Sequence, residues 1–272
     1  MTLLVLGATG STGRRVTRLL REQEVAVRAA SRHGELVFDW TDPQTWGLAL
    51  EGVTGIYVMA PDGVPVEPDF IEQAVETGVR RLVLLSTLHA EEIDDRLFAA
   101  EELVRESGVE WTVVRANWFN QNFDEGFFRP AIQAGELVLP LGDIRHSFVD
   151  AEDIAAVAVE ALTGTGHIGQ IYEVTGPEAL TFAEAVAHIS EATGRPIHYR
   201  GTPDDYRQAS TAPPEQVEAE IAYFATQQSL GDSHPTRTVE AITGRPPIPF
   251  PTYARTASWP TPDRTSAPET TL

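Results

Sequence analysis

An α/β fold, a doubly wound parallel sheet with a smaller C-terminal lobe, is what this 272-residue sequence predicts. Two observations predict it. Up to Arg115, short apolar runs alternate with segments of helical period, as expected of parallel strands covered by helices on both faces. The turn GATGSTGRR (7–15) joins the first such run directly to the first helical segment, with glycines at 7, 10 and 13.

In chain order, strands are predicted at 2–6, 25–30, 36–39, 55–60, 81–86 and 110–115. Between them, Gly13–Glu22, Pro43–Leu50, Asp69–Thr77 and Leu97–Ser107 read as helices, the last closed by Gly108. After Arg115 the rhythm changes to NWFNQNF (117–123) and then LVLPLGD (137–143). Asp150 stands where it would cap an apolar helix over Ala151–Leu162, and a strand follows at Ile171–Val174. Thr181 and Glu184 have capping-box spacing for a helix that runs to about Thr193 and stops at Gly194. Beyond Pro203 the chain is polar and proline-rich, with helices expected near Glu215–Ala225 and Arg237–Thr243. The expected division is a nucleotide-binding domain over 1–118 and 147–175, a substrate lobe over 119–146 and 176–257, and a mobile tail over 258–272.

Composition narrows the function. A formal charge of −20 repels phosphate backbones and anionic lipid, so neither nucleic acid nor a membrane is an expected partner. There are no cysteines, which excludes thiolate chemistry and disulfides. All twenty basic residues are arginine, so no lysine can serve as base or proton relay. With no basic leader and no long apolar stretch, the expected location is cytoplasmic.

Glycines between a first strand and a first helix let backbone approach a pyrophosphate, while the helix N-terminus supplies amides and a favourable dipole. Gly7, Thr9, Gly10, Ser11, Thr12 and Gly13 are therefore candidate cofactor contacts, although the spacing is GxxGxxG and a packing turn would also use glycines. The second strand ends in Ser31-Arg32, where an NAD-preferring site would place an acid for the ribose 2′-hydroxyl. Arg32, with Arg14 nearby, offers a guanidinium for a 2′-phosphate, so NADP(H) is the expected cofactor; an ordinary surface arginine is the alternative. Asp39 and Trp40 are candidates for the adenine, Ala60 and Pro61 for a ribose, and Ser86 and Thr87 for the nicotinamide end. A core tryptophan beside a capping aspartate would explain Asp39-Trp40 equally.

GATGSTGRR, the Ser31-Arg32 pair, FDWTDPQTW (38–46), SGVEWTVVRANWFNQNF (107–123) and SFVDAEDIAAVAVEAL (147–162) together resemble the NmrA-like group of atypical short-chain dehydrogenase/reductases. Within it, FDW and the short second connection are similar to the agroclavine dehydrogenase type of ergot alkaloid reductases and their bacterial relatives, over about residues 2–200. The resemblance implies an NADP-binding Rossmann domain with a substrate lobe and, for the alkaloid branch, reduction of a cyclic iminium by NADPH. It also implies that Asn117, Trp118, Asn120 and Gln121 face nicotinamide and substrate; a connector packing the two lobes is the plainer alternative.

One departure shapes the chemistry. Short-chain dehydrogenases usually move a hydroxyl proton through Tyr-x-x-x-Lys, yet the lysine is absent and residues 90–107 hold no tyrosine. Two functions remain open. One is a reductase for an imine, iminium or conjugated acceptor, in secondary metabolism; the other is a non-catalytic NADP-binding redox sensor, like the member that gives the group its name. His89, Asn117 and His146 are the candidate catalytic residues, the two histidines for proton transfer. Asp150 and Asp153 are explained by capping, Glu101 and Glu102 by a solvated helix face. No metal-ligand spacing occurs, and the sequence leaves the oligomeric state open.

Overall fold

Four of the five residues in the first strand, Leu3 to Leu6, are fully buried, and consecutive ones enter opposite cores. Unbroken apolar strands of this kind belong to parallel sheets with helices on both faces. The computed structural model describes residues 1–259. In chain order it contains β1 (Thr2–Leu6), α1 (Ser11–Glu22), β2 (Ala26–Ser31), β3 (Leu36–Val37), α2 (Trp46–Leu50), β4 (Gly55–Val58), α3 (Pro68–Glu76), β5 (Arg81–Thr87), α4 (Ala90–Ile93), α5 (Asp95–Glu106) and β6 (Glu110–Ala116). There follow α6 (Arg129–Ala134), β7 (Glu136–Val138), α7 (Ala151–Thr163), β8 (Gln170–Val174), α8 (Phe182–Thr193), β9 (His198–Arg200), α9 (Pro203–Ala209), α10 (Pro214–Ser229), α11 (Thr238–Thr243) and α12 (Phe250–Thr256).

The chain separates into two units. The first comprises residues 1–119, 146–179 and 232–249, built on a seven-stranded sheet in the order β3-β2-β1-β4-β5-β6-β8. Its pairings are parallel, so every strand delivers its following loop to one edge. The order reverses between β1 and β4, which opens a crevice beyond the end of β1. On one face Leu4, Ile56 and Leu82 pack with Trp46 and Phe70; on the other Leu3, Val5 and Val83 meet Val16, Leu20, Ile154 and Val157.

Polar anchors fix the helices. Asp150 caps α7 by accepting from the Glu152 N–H at 2.9 Å. At the other end of that helix, Arg81 Nη1 donates to the carbonyls of Leu162 and Gly164 at 2.9 and 2.8 Å, and its Nε binds Glu110. Asp153 is not a cap, contrary to the sequence expectation. It is 0% exposed, paired with Arg245 at 2.5 Å and accepting from the Ile248 N–H at 2.7 Å, so it ties residues 245–248 to α7.

The second unit comprises 120–145, 180–231 and the described residues from 250 onward. Its centre is aromatic, with Phe123 edge-on to Phe250 and Phe128 edge-on to Phe182, beside the two-stranded parallel pair β7-β9. The capping box at Thr181 and Glu184 is complete, with both reciprocal bonds.

Several boundaries differ from expectation. The third strand is only two residues long, because Asp39 leaves it to form a turn in which its carboxylate accepts from the Thr41 N–H and hydroxyl. The short helices α9 and α12 lie in the stretch read as proline-rich loop, and Thr202 with Asp205 makes a second capping box that starts α9. Residues 232–249 pack within the first unit, whereas the sequence reading had them in the lobe. The tail expected over 258–272 lies beyond residue 259 outside the described residues. Among the described residues no helix is long and apolar enough to cross a membrane.

Candidate active site

The turn after β1 is set by its glycines. Gly7 has φ +64°, a conformation that disfavours any Cβ, and its carbonyl accepts from the Gly10 N–H at 2.8 Å. A Cβ on Gly13 would sit 2.2 Å from the Gly7 carbonyl oxygen, so backbone meets backbone there. Gly10 is the extended residue before α1, and the helix carries no acid in its first turn to neutralise the positive end of its dipole. Thr12 points inward and accepts from the buried Tyr57 hydroxyl at 3.0 Å. Thr12 can reach a ligand only through its backbone.

Beside this turn lies a cleft of about 620 Å³, bordered by Thr9, Arg14, Arg18, Arg21, Ser31 and Glu35. Arg14, Arg18 and Arg21 recur at helical spacing and present a basic stripe along α1. Arg18 also pairs with Glu22 at 2.8 Å and with Glu152. Ser31 is 7% exposed, and its buried hydroxyl has no hydrogen-bond partner among the described residues. Such an orphan, at the wall of a basic cleft, fits a bound phosphate or ribose group. Arg32 is exposed next to it. Asp39 faces it closely enough that Arg32 and His33 add to the lowering of its carboxyl pKa, which is due first to the Thr41 hydrogen bonds.

Trp40 is 5% exposed and edge-on to Phe38 and Phe70, with its indole N–H donating to the Met59 carbonyl at 3.1 Å. It belongs to the core and shapes the wall from behind. Ala60 and Pro61 are half-buried where the chain leaves β4.

At the far side of the switch point, Ser86 faces α5 and donates its hydroxyl to Glu101 at 2.5 Å. Thr87, next in β5, is half-buried and points to the opposite face. Glu101 corrects the sequence reading: it is 0% exposed and held by Arg115, while Glu102 is exposed as expected. A lone helical glutamate gives no hint of burial until the arginine opposite it is placed. His89 is exposed with φ 57°.

Asn117 ends β6 and is buried, donating to the Ser233 hydroxyl at 2.8 Å and accepting from the Trp118 N–H at 2.7 Å. The same Ser233 hydroxyl accepts from the Ser147 N–H at 2.6 Å, so Asn117 pins the returning chain to the sheet edge. His146 is 7% exposed beside the Trp118 and Phe148 rings. Burial pushes its pKa from near 6.5 down to about 4, with Asp232 opposing the shift. In the second unit, Asn120 is 0% exposed and neither amide atom has a hydrogen-bond partner among the described residues, and Gln121 is buried next to it in a single 3₁₀ turn.

The NmrA-like family model matches residues 1–242. The chain belongs to the NmrA-like family. It is 36% identical over 278 residues to the NAD(P)H azoreductase of Xenophilus azovorans, covering 93% of this chain and 96% of the relative. It is 37% identical over 271 residues to the (4-alkanoyl-5-oxo-2,5-dihydrofuran-3-yl)methyl phosphate reductase of Streptomyces griseus, covering 91% and 95%. Among solved structures, the NADPH-dependent quinone oxidoreductase of Escherichia coli in complex with NADPH superposes with a TM-score of 0.70 at 20% identity, covering 93% of this chain and 98% of that one.

In this NmrA-like chain the sequence reading missed Arg18, Arg21 and Glu35 as cleft residues. The arginines were legible as a helical repeat with Arg14. Glu35 was not, because its place depends on how tightly the connection between β2 and β3 turns. Among the described residues, no group of three or more His, Cys, Asp or Glu could hold a metal ion.

The neutral state of His146 has a measurable consequence for the NmrA-like fold. Its folded pKa lies below the unfolded value, so the unfolded chain takes up the proton first and stability falls as pH drops from about 6.5 towards 4. The full effect amounts to ~3 kcal/mol. Urea unfolding of His146→Gln at pH 7 and pH 4.5 is expected to show a smaller acid loss than the unsubstituted chain; equal losses would assign the acid limb to other groups.

Proposed function

We propose that this chain is an NADPH-dependent reductase that delivers hydride to a small imine-like or conjugated acceptor in secondary metabolism. The observation that carries the reading is the basic cleft beside the glycine turn. It combines a backbone approach that only glycine permits at residue 13, a helix start without acid, an orphaned Ser31 hydroxyl and a stripe of guanidiniums. These features suit the pyrophosphate and 2′-phosphate of NADP(H). The bound cofactor supplies the hydride, and the protein's task is to hold it, orient the acceptor and exclude water.

In this reading Gly7, Thr9, Gly10, Ser11, Thr12 and Gly13 line the pyrophosphate with backbone. Ser31 and Arg32 take the 2′-phosphate, with Arg14 beside them. Asp39 and the wall backed by Trp40 border the adenine, Ala60 and Pro61 a ribose, and the chain at Ser86 and Thr87 the nicotinamide. Asn117, Trp118, Asn120 and Gln121 are assigned to the acceptor, and the unbonded amide of the fully buried Asn120 supports that choice. Glu35 at the cleft is an acceptor for an unphosphorylated ribose, so some use of NADH is expected.

The acceptor class follows from what the chain lacks. Without lysine, and without tyrosine in 90–107, a hydroxyl-carbonyl pair has no Tyr-x-x-x-Lys relay. His146, with a pKa of about 4, is neutral at pH 7 and a poor acid for the task; His89 remains exposed and available. An iminium takes hydride with no proton, and a quinone, enone or azo bond can complete its reduction with a proton from water. Azo, dihydrofuranone and quinone are the acceptors named for similar proteins, which supports that class.

Titration with NADPH and NADH, followed by turnover assays on cyclic imines, azo dyes, enones and quinones, tests the proposal. Oxidation of NADPH by at least one class is expected. Tight binding with no turnover on any panel member would replace it with the redox-sensor reading. Arg32→Ala is expected to weaken NADPH binding roughly 10- to 100-fold, the loss of one charge-assisted phosphate contact, with NADH little changed. Equal losses for both cofactors would remove Arg32 from the 2′-phosphate.

A further inference from the structure

The ends of β5 and β6 hold a cluster of charges that hydride transfer to such acceptors does not itself require. Glu101 is 0% exposed, and a carboxylate persists at that depth only when its charge is fully met. Arg115 meets it with Nε at 2.9 Å and Nη2 at 2.8 Å, and the Ser86 hydroxyl with a third bond at 2.5 Å. The guanidinium then extends outward, its Nη2 lying 3.0 Å from a carboxylate oxygen of Glu91. Glu91 stands in the first turn of α4, where a backbone hydrogen bond, with Arg115 next in effect among the charges, holds its carboxyl below the usual range. One arginine on β6 thereby joins β5, α5 and α4.

Between Ser86 and Glu91 the chain runs Thr87-Leu88-His89-Ala90, leaving β5 at Thr87 and entering α4 at Ala90. Leu88 N–H donates to the Ala116 carbonyl at 3.1 Å, extending the ladder between β5 and β6 by one rung. His89 is held with φ 57° and ψ 36°, a left-handed conformation that costs energy for a side-chain-bearing residue. Such a residue persists where its surroundings over-determine it. For stability alone, apolar groups would serve this buried position as well as an ion pair. What the charged cluster adds is direction, because each bond is fixed in length and angle at both ends of the turn.

We propose that Glu101, Arg115 and Glu91 are positioning residues that fix the turn 87–89 against the nicotinamide half of the cofactor. The proposal rests on the NADPH reading above, with the turn following β5 at the sheet edge where that half would lie.

Glu91 is the member to test first, since its side chain is 41% exposed and its removal leaves the buried Glu101–Arg115 pair intact. Glu91→Ala is expected to keep the melting temperature and to hold the NADPH Kd within about twofold, while single-turnover oxidation of NADPH slows roughly tenfold. Glu91→Gln, which can still accept from Arg115, is expected to recover most of that rate. An unchanged rate in Glu91→Ala, or a loss that tracks thermal stability, overturns the proposal. If the unsubstituted chain binds NADPH without turnover, the readout becomes the fluorescence of the bound nicotinamide, expected to fall in Glu91→Ala at equal Kd; equal fluorescence overturns it. If the unsubstituted chain binds no NADPH, the functional reading fails and the positioning role with it.

Discussion

Gly13→Ala is expected to abolish NADPH binding and to lower the melting temperature by about 10 °C, the effect of roughly 3 kcal/mol of overpacking. The added methyl would lie 2.2 Å from the Gly7 carbonyl oxygen and 2.7 Å from its carbon. Neither atom can withdraw easily. Gly7 is held at φ +64°, its carbonyl is bonded to the Gly10 N–H, and the next residue's N–H binds the Ala30 carbonyl on β2 at 3.0 Å. Relief therefore requires the whole turn to lift away from α1, which removes the surface on which a pyrophosphate would rest. Gly10→Ala is the control: its nearest neighbour is 3.2 Å away and its φ is −78°, so a milder loss is expected. A calorimetric scan paired with a cofactor titration reads both quantities. Equal behaviour of the two variants would mean that the close approach of Gly7 and Gly13 is not what shapes the turn.

Arg115→Ala is expected to cost about 3–5 kcal/mol, because it strands the Glu101 carboxylate at 0% exposure with only the Ser86 hydroxyl bonded to it among the described residues. The double substitution Glu101→Leu with Arg115→Met is expected to recover most of that loss, since apolar groups of similar size need no counter-charge. Urea unfolding of both variants decides the matter. A double variant as unstable as the single one would show that the pair contributes packing that leucine and methionine cannot replace.

The sheet and most helices were legible because the signals are local. Apolar runs such as Leu3–Leu6 have no other stable destination, and the Asp150 cap and the Thr181–Glu184 box announce their helices within four residues. The resemblance to the NmrA-like group held for the same reason, since its quoted motifs lie on those elements. What escaped was set by distant partners. Glu101 reads as a surface residue until Arg115 is brought across from β6, and Asp153 reads as part of a cap until Arg245 returns, 92 positions later. Asp39 was placed at the right strand end, yet its turn with Thr41 ended β3 two residues early. In the cleft, Arg14 was named from the sequence while Arg18 and Arg21 were missed although their helical spacing with it was legible, whereas Glu35 and the orphaned Ser31 hydroxyl needed the path of a tight connection.

The anchoring of residues 245–248 by Asp153 also bears on biogenesis. The first unit closes on a segment, 232–249, that is synthesised after every other part of that unit. Until that segment arrives, nascent α7 carries an acid destined for the interior without the Arg245 partner and the Ile248 amide that receive it. Sheet and helices can gather as they are made, but the unit becomes fully cooperative only once this last-made piece has docked.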